Sequence, residues 1–383
     1  MTDVTSSQQA MLSVEEARVR VLESVYPLEP RDVLVAEARG LVPAGDLVAP
    51  HSLPRFDNSA MDGFAVRAQD TTSASDESPV HLAVAGEVRA GESRNLEVRP
   101  GTAVRIMTGA PVPPGADAIV PVEHTTEQDG HVLVSIPAAD GRHVRPAGGD
   151  VAAGSTMLEA GTELSPGELA LVASMGLSPV SVRPAPKVAV LVTGDELVAP
   201  EATPGPGQIR DSNSVAIRAL VAEAGGEPVF FGPVADEREA VLEAFGRAGE
   251  ISDLVVSSGG VSVGRYDFVK DAIERLGHID LWRVAMQPGK PVVLGAIGAT
   301  PFLGLPGNPV SIHVGFEQFV RPAIRKMRGC SSVLRPTITA TLTETIEKPP
   351  GRLHFVRVRL ARGSDGWEAT PTGPQGSHIQ SSL

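Results

Sequence analysis

Cysteine is nearly absent from this 383-residue sequence, and the one present, Cys330, permits neither an intrachain disulfide nor a cysteine-rich metal site. Aromatic residues are scarce as well, at 4% of the chain, so its cores must be built from Val, Leu and Ala. Positive charge is in deficit: 33 Lys and Arg against 46 Asp and Glu give a net charge of −13. That argues against nucleic-acid binding and anionic-membrane binding, which need a basic footprint, while leaving room for a small anion held locally. No apolar run approaches membrane-spanning length, and MTDVTSSQQAMLSVEEARVRV at the start has no basic segment followed by an apolar one. No membrane insertion or signal peptide is expected, and a cytoplasmic location is. His and Cys clusters with zinc spacing are missing, as are GxSxG, P-loop and GxGxxG signatures in context, which argues against the commoner hydrolase and nicotinamide chemistries.

What is plentiful is turn chemistry. With 40 Gly and 33 Pro, the chain should hold several small β-rich units, and its length predicts two to four domains. Residues 13–25 read as a helix, opened by a Ser13/Glu16 capping box, with Val14, Ala17, Val21, Leu22 and Val25 on one face and Pro27 and Pro30 ending it. PHSLPRFDNSAMDGFAVR, at 50–67, has no helical or strand period until Phe64, and its Asp57, Asn58 and Asp62 fit turns as well as a binding loop. Short β-like runs at 64–66, 81–84, 103–107, 118–122 and 131–136 then alternate with turn clusters, as in a β module inserted into another domain. Within it, Thr108 and Gly109 put a hydroxyl and bare backbone at a strand end. Residues 141–154 form a loop carrying Arg142, Arg145 and Asp150; 165–175 read as a helix opened by Ser165, Pro166 and Glu168; RPAP at 183–186 reads as a linker.

From 187 to 328 strands and helices alternate, with strands at 188–192, 228–232, 254–256, 291–294 and 302–304 and helices at 212–224, 237–248, 268–276 and 310–327. This predicts a parallel sheet wrapped on both faces, with ligands bound beyond the carboxyl ends of the strands. At those ends stand Thr193-Gly194-Asp195-Glu196, Asp236, residues 257–264 and Leu305-Pro306-Gly307-Asn308-Pro309, so three acids and two glycine-bearing loops would meet on one rim. In SSGGVSVGRYD, at 257–267, Gly259, Gly260 and Gly264 let backbone N–H groups approach an anion. Asp267 stands where the next helix begins, and fits either an N-cap or a ligand for a divalent cation beside a phosphate. Together with Pro288-Gly289-Lys290-Pro291, the set favours a phosphate-bearing substrate held through Mg²⁺, since hard cations take carboxylate oxygens. The tail, with β-like runs at 337–343 and in GRLHFVRVRL at 351–360, suggests a small β domain.

Taken in order, FDNSAMDGFAVR, RIMTGAPVPPGADAIVP, TGDEL, SSGGVSVGRYDFVK, QPGKP, LPGNPVS and PTGPQGSHIQSS resemble, across nearly the whole chain, the MoeA / gephyrin E-domain family of molybdopterin molybdenumtransferases. The resemblance implies an α/β plus β, multidomain, elongated subunit. Its parts would be an elongated linker domain in two segments, 1–52 and 143–182; an inserted β-rich domain at 53–142; a doubly wound, MogA-like α/β molybdopterin-binding domain at 183–330; and a small C-terminal β domain at 331–383. It also implies a homodimer, with which a 13–25 helix too short to stand unpacked agrees. The implied reaction is insertion of molybdate into adenylylated molybdopterin with Mg²⁺-dependent release of AMP, with a MogA-type adenylyltransferase as a candidate partner.

By motif position, Asp62, Thr108, Asp150, Glu196, Asp236, Asp267 and Lys290 match family residues needed for activity, with Asp267, Asp236 and Glu196 as metal ligands. Ser257, Gly259, Gly260, Ser262, Gly264, Pro288 and Gly289 match the substrate-binding loops. Lys290, Ser311, Arg352 and Ser377 fall where the family surrounds the molybdate oxyanion, and hydroxyls with cations suit tetrahedral oxygens. By themselves Ser311 fits a helix-start cap, Arg352 a strand surface charge and Ser377 a turn hydroxyl. The sequence departs from the family at Gln287, where many relatives carry the first lysine of a KPGK loop, and at Arg283, a lysine in some of them. It also ends at Leu383, where relatives usually add further strands, so a shortened C-terminal unit is expected. A second reading stays open beside the enzyme: a gephyrin-like scaffold dimer that binds a receptor or cytoskeletal or cell-division partner, with weak or lost catalysis.

Overall fold

The computed structural model describes residues 11–91, 96–259 and 268–383, with the backbone alone at 281 and 282. It contains two compact units, one made of Met1–Gly45, Ala160–Leu169 and Ser178–Leu383, the other of Asp46–Glu159 and Ala170–Leu177. The described helices are α1 (Val14–Glu23), α2 (Pro166–Ser174), α3 (Asn213–Glu223), α4 (Arg238–Ile251), α5 (Phe268–Leu276), α6 (Pro309–Gly315) and α7 (Arg321–Met327). No helix among the described residues is long and apolar enough to cross a membrane.

The first unit is organised by a six-stranded sheet in the order Glu227–Val234, Lys187–Thr193, Leu254–Ser258, Thr300–Leu305, Pro291–Ile297 and Gly277–Arg283. The first four strands are parallel, as the alternation predicts, but Pro291–Ile297 runs against both its neighbours, Thr300–Leu305 and Gly277–Arg283, and corrects the expectation of a wholly parallel sheet. The reason is the length of one connection. Only Gly298 and Ala299 separate Pro291–Ile297 from Thr300–Leu305, and so short a link must return the chain as a hairpin.

Because side chains alternate along a strand, the sheet divides its apolar residues between two cores. Leu254 and Val256 join Val188, Val190 and Leu303 against α1, α3 and α7, while Val255 joins Ala189, Leu191 and Phe302 against α4 and α5. On the second face Phe245 meets Phe302 edge to face, with ring centroids 5.8 Å apart. The helix α1 has the expected reciprocal capping box between Ser13 and Glu16, and it buries Val14, Ala17 and Val21 in the first core. Its packing is found within its own chain, so its shortness is no argument for a second copy.

The helix expected over 310–327 is interrupted. A wide π-type turn, Phe316–Val320, joins α6 to α7 just before Pro322, which has no amide hydrogen to give to the Gln318 carbonyl four residues back. Arg18 of α1 takes that carbonyl instead, donating from Nε at 3.4 Å. The break in the helical ladder thereby becomes a contact between helices.

Near the C-terminus, GRLHFVRVRL is two strands rather than one. Leu353–His354 pairs in parallel with Met286–Gln287, and Val358–Arg362 pairs antiparallel with Trp367–Pro371. Between them Arg357 leaves the ladder: its amide donates to Oε1 of Gln375 at 2.8 Å, and its carbonyl accepts from Nε2 of Gln375 at 3.2 Å.

The other unit holds a six-stranded sheet ordered Ala118–Pro121, Gly63–Val66, Thr102–Ile106, Val80–Val88, His131–Val134 and Thr125–Gln128. Phe64 and Val66 face one core with Leu82, Val120 and Val132, and Ala65 faces another with Val104, Ile106 and Ile119. Burial on both sides explains why this run is apolar throughout rather than alternating.

Candidate functional site

The rim of the larger sheet is built as its strand ends require. After Lys187–Thr193 the chain turns through Asp195 and Glu196, and Asp195 Oδ1 accepts the amide of Asp236, which follows the neighbouring strand, at 3.0 Å. Burial, then the negative charges of Asp195 and Glu196, pushes the Asp236 carboxyl above the usual carboxylate range. Two of the expected metal ligands, Glu196 and Asp236, are thus brought within electrostatic reach of each other. Among the described residues, no three His, Cys, Asp or Glu side chains form a group that could hold a metal ion. The third expected ligand, Asp267, lies outside the described residues, as do Gly260, Ser262 and Gly264.

Gly259, at the end of Leu254–Ser258, has φ +87°, and a Cβ there would come 2.9 Å from the Thr193 carbonyl oxygen. Only glycine lets these two strand ends approach so closely. Its amide donates to the Leu305 carbonyl at 3.3 Å. Ser257 is fully buried, and its Oγ has no hydrogen-bond partner among the described residues.

The residue that ties the rim together was not foreseen. Asn213, in the first turn of α3, donates from Nδ2 to Oγ of Ser258 at 3.2 Å and to the Gly307 carbonyl at 2.9 Å, joining one glycine-bearing loop to the other. It is free to do so because the buried Asp211 caps the helix, accepting the Ser214 amide at 2.9 Å. An Asn just inside a helix whose capping is done by a neighbouring Asp was the available sequence signal.

The Leu305–Pro309 loop serves a second group of residues on its other side. Asn308 Nδ2 donates to Oγ of Ser377 at 3.0 Å, and the Val310 amide to the Ser377 carbonyl at 3.1 Å. Ser311 is buried in α6, and its carbonyl oxygen lies 3.6 Å from where a Cβ on Gly289 would stand. Gly289 has φ +98°. The Lys290 carbonyl accepts the Val284 amide at 3.0 Å, and the Phe355 amide donates to the Gln287 carbonyl at 2.8 Å, which sets Arg352–His354 beside the QPGKP loop. Pro288, Gly289, Lys290, Ser311, Arg352 and Ser377 are therefore drawn to one region. Arg357 belongs there too, and was missed because its strand-like surroundings hide it. Its guanidinium donates to the carbonyls of Gln375 and Gly376, each at 3.0 Å, and to that of Pro374 at 3.3 Å.

In the smaller unit, Asp62 and Thr108 meet directly, with the Thr108 amide and hydroxyl both donating to Asp62 Oδ1. These bonds, the amide's first, hold the exposed Asp62 carboxyl below the usual range. Asp57 is a turn residue, accepting the Ala147 amide at 2.7 Å, and Asn58 is buried in a two-residue strand. Asp150 is exposed, and its amide donates to the Leu53 carbonyl at 3.0 Å.

Chemically, the larger unit offers acids at its sheet rim, of a kind suited to a cation, and near the Leu305–Pro309 loop hydroxyl- and cation-bearing residues of a kind suited to an oxyanion. Three family models match consecutive parts of the chain: the MoeA N-terminal region (domain I and II) over 12–176, a probable molybdopterin binding domain over 189–326 and the MoeA C-terminal region (domain IV) over 339–383. The chain is 42% identical to the molybdopterin molybdenumtransferase 2 of Mycobacterium tuberculosis over 374 residues, 96% of this chain and 92% of that one. It is 38% identical to the molybdopterin molybdenumtransferase of Haemophilus influenzae over 377 residues, 97% and 92% of the two chains. A crystal structure of the molybdopterin biosynthesis MoeA protein of Pyrococcus horikoshii superposes with a TM-score of 0.84 at 29% identity, covering 98% of this chain and 93% of that one.

Proposed function

The chain belongs to the MoeA family, and from that premise we propose that it is a molybdopterin molybdenumtransferase, inserting molybdate into adenylylated molybdopterin with Mg²⁺-dependent release of AMP in molybdenum cofactor biosynthesis. The observation that carries the reading is the Leu305–Pro309 loop, bonded on one side through Gly307 to Asn213 and the SSGG strand end, and on the other through Asn308 to Ser377. A phosphate-bearing substrate on the rim and an oxyanion in the pocket would share that loop. Relatives named as transferases favour the enzyme over the scaffold reading.

Asp236 supports a cation here, because a carboxyl already raised by burial and two neighbouring negative charges is relieved by a divalent ion. Asp236 and Glu196, with Asp267, would hold Mg²⁺, which supplies neutralisation of the phosphate charge where the phosphoanhydride is cleaved. The SSGGVSVG motif at 257–264 is the proposed phosphate-binding loop. Lys290 and Arg352 would offset the charge of molybdate, Ser311 and Ser377 would hydrogen-bond its oxygens, and Gln287 contributes no charge. Asp62, Thr108 and Asp150, in the smaller unit, are proposed as further residues needed for activity. A four-part division at 52/53, 142/143, 182/183 and 330/331, with 1–52 and 143–182 forming one part, belongs to this reading, supported by the gaps between family models at 176–189 and 326–339. So do a homodimer, a cytoplasmic location and supply of substrate by a MogA-type adenylyltransferase.

The test is AMP release from adenylylated molybdopterin on adding molybdate, with and without Mg²⁺. Release that depends on both, and fails in Asp267→Ala and Lys290→Ala, is the expected result; release by the parent without molybdate or Mg²⁺ would overturn it. Gln287→Lys should lower the molybdate needed by roughly one to two decades, the worth of one partly buried charge contact. Sedimentation showing only the 39.8 kDa species at micromolar concentration would remove the dimer.

A further inference from the structure

The QPGKP loop springs from a bend that the segment just before α1 holds in place. The Val284 amide donates to the Lys290 carbonyl at 3.0 Å, closing the neck of the loop, and the Met286 amide turns back to the Val284 carbonyl at 2.9 Å. Ala285 stands at the apex of that bend, and both of its backbone groups are taken by remote segments. Its amide donates to the Leu12 carbonyl at 2.8 Å, and its carbonyl accepts the Leu353 amide at 2.9 Å. Leu12 also donates its own amide to the Arg283 carbonyl at 3.4 Å and pairs in parallel with Val284.

The side chains beneath the bend support it from the same direction. Leu12 packs against the first core, in which Val14 of α1, Val284 and Met286 are all buried. Met286 reaches the loop itself: a Cβ on Gly289 would come 3.0 Å from its Cε. Pro288 and Pro291 offer no amide hydrogen, so the backbone bonds at the neck carry more of the task of fixing Lys290.

We propose that Leu12 is a positioning residue for the oxyanion loop: its carbonyl, anchored by its side chain against the first core, fixes the Ala285 amide and with it the neck from which Lys290 is presented. The proposal rests on the reading that this loop meets molybdate. A loop fixed before the anion arrives gives up little conformational freedom on binding, whereas a loosened one must be ordered by the anion, which lowers affinity. Freeing the neck therefore weakens molybdate binding more than it slows the reaction of the bound state.

The test uses the full chain carrying Leu12→Asp, which sets a charge against the apolar core and should expel the segment, or Leu12→Met, which keeps the anchor. Leu12 is only half-buried, so the fold should survive. Two quantities are measured: hydrogen exchange at the Val284 and Ala285 amides by nuclear magnetic resonance without ligand, and AMP release as molybdate and adenylylated molybdopterin are varied in turn. In Leu12→Asp we expect faster exchange at both amides, with exchange in the Gly63–Val66 strand of the other unit unchanged. Half-maximal release should need roughly fivefold to tenfold more molybdate, the worth of one hydrogen bond. The maximal rate and the half-saturation for adenylylated molybdopterin should stay within about twofold of the parent, as for a change that acts on one substrate's binding. Leu12→Met should match the parent throughout. Parental exchange at Ala285 in Leu12→Asp, or faster exchange with parental molybdate half-saturation, overturns the proposal and leaves the reading of the loop standing; so does a loss confined to the maximal rate. A parent whose AMP release ignores molybdate overturns the reading of the loop and the proposal together. If Leu12→Asp does not fold, Leu12→Ala shortens the same anchor without adding charge and is judged by the same outcomes.

Discussion

One carboxylate oxygen of Asp62, Oδ1, accepts both the Thr108 amide at 2.7 Å and the Thr108 hydroxyl at 2.8 Å. Both bonds favour the ionised carboxyl, the amide's more than the hydroxyl's. Thr108→Val should therefore raise the Asp62 pKa only part of the way to its ordinary value, whereas Thr108→Ser should leave it low. Since the folded value is depressed, the stability this pair contributes is present above the unfolded carboxylate pKa and is lost as pH falls through the folded one. Carboxyl carbon titration of the three proteins checks this; an Asp62 titration unmoved in Thr108→Val would mean that the hydroxyl bond does not form in solution.

Asp236 has the opposite sign. Its carboxyl is raised by burial and then by Asp195 and Glu196, so the folded chain holds its proton more tightly than the unfolded chain does. Stability falls as pH rises from the unfolded to the folded pKa and stays reduced above it. Without metal at neutral pH, Asp236→Asn should melt at a higher temperature than the parent, and Mg²⁺, which stabilises the parent by binding the folded state, should stabilise the variant much less. Thermal melts with and without Mg²⁺ decide it. Equal Mg²⁺ shifts in the two proteins would place the cation elsewhere.

Asn213 allows a sharper choice between two substitutions. The Gly307 carbonyl can only accept, so the side-chain amide must present Nδ2 to it, and both of its hydrogens are used. Asn213→Ala removes the link between the loops; Asn213→Asp keeps the shape but sets an oxygen against an oxygen. We expect both to lose about 1–3 kcal/mol of stability, Asp the more, with AMP release lowered in the same order. An Asn213→Asp protein as stable and active as the parent would show that the clamp contributes nothing.

Much of this was legible in the residues. The alternating strands and helices from 187 onward, the Ser13/Glu16 box and the gathering of Asp195, Glu196 and Asp236 at one rim follow from local pattern and from the rule for strand ends. The antiparallel edge was not, because Gly277–Arg283 carries polar residues at alternate positions, and a two-residue hairpin weighs little beside long apolar runs. The π turn before Pro322 was missed because apolar periodicity continues through it. Asn213 and Arg357 escaped for a common reason: each matters through partners 17 to 94 residues away, which no short window of sequence brings together.

The turn that presents Ser377 is built around Arg357. Its guanidinium reaches the carbonyls of residues 374, 375 and 376 and, at 3.0 Å, Oγ of Ser382, while its backbone exchanges two hydrogen bonds with the Gln375 side chain. A planar fork of five donors can span several carbonyls at once; a lysine ammonium cannot, although it keeps the charge. Arg357→Lys should thus separate geometry from electrostatics. If Ser377 is held in place by the fork, the variant should fold, since neither unit's main sheet contains Arg357, but should need roughly one to two decades more molybdate for half-maximal AMP release, the worth of one hydrogen bond to a charged group. Gln375→Ala should reproduce part of the effect, and the double variant should lose less than the sum of the two, because the residues act on one turn. Arg359→Lys, an exposed change two positions on, serves as the control and should leave the titration unmoved. Parental half-saturation in Arg357→Lys would mean that the turn holds its shape without the fork, and that Ser377 is positioned by Asn308 and the Val310 amide alone.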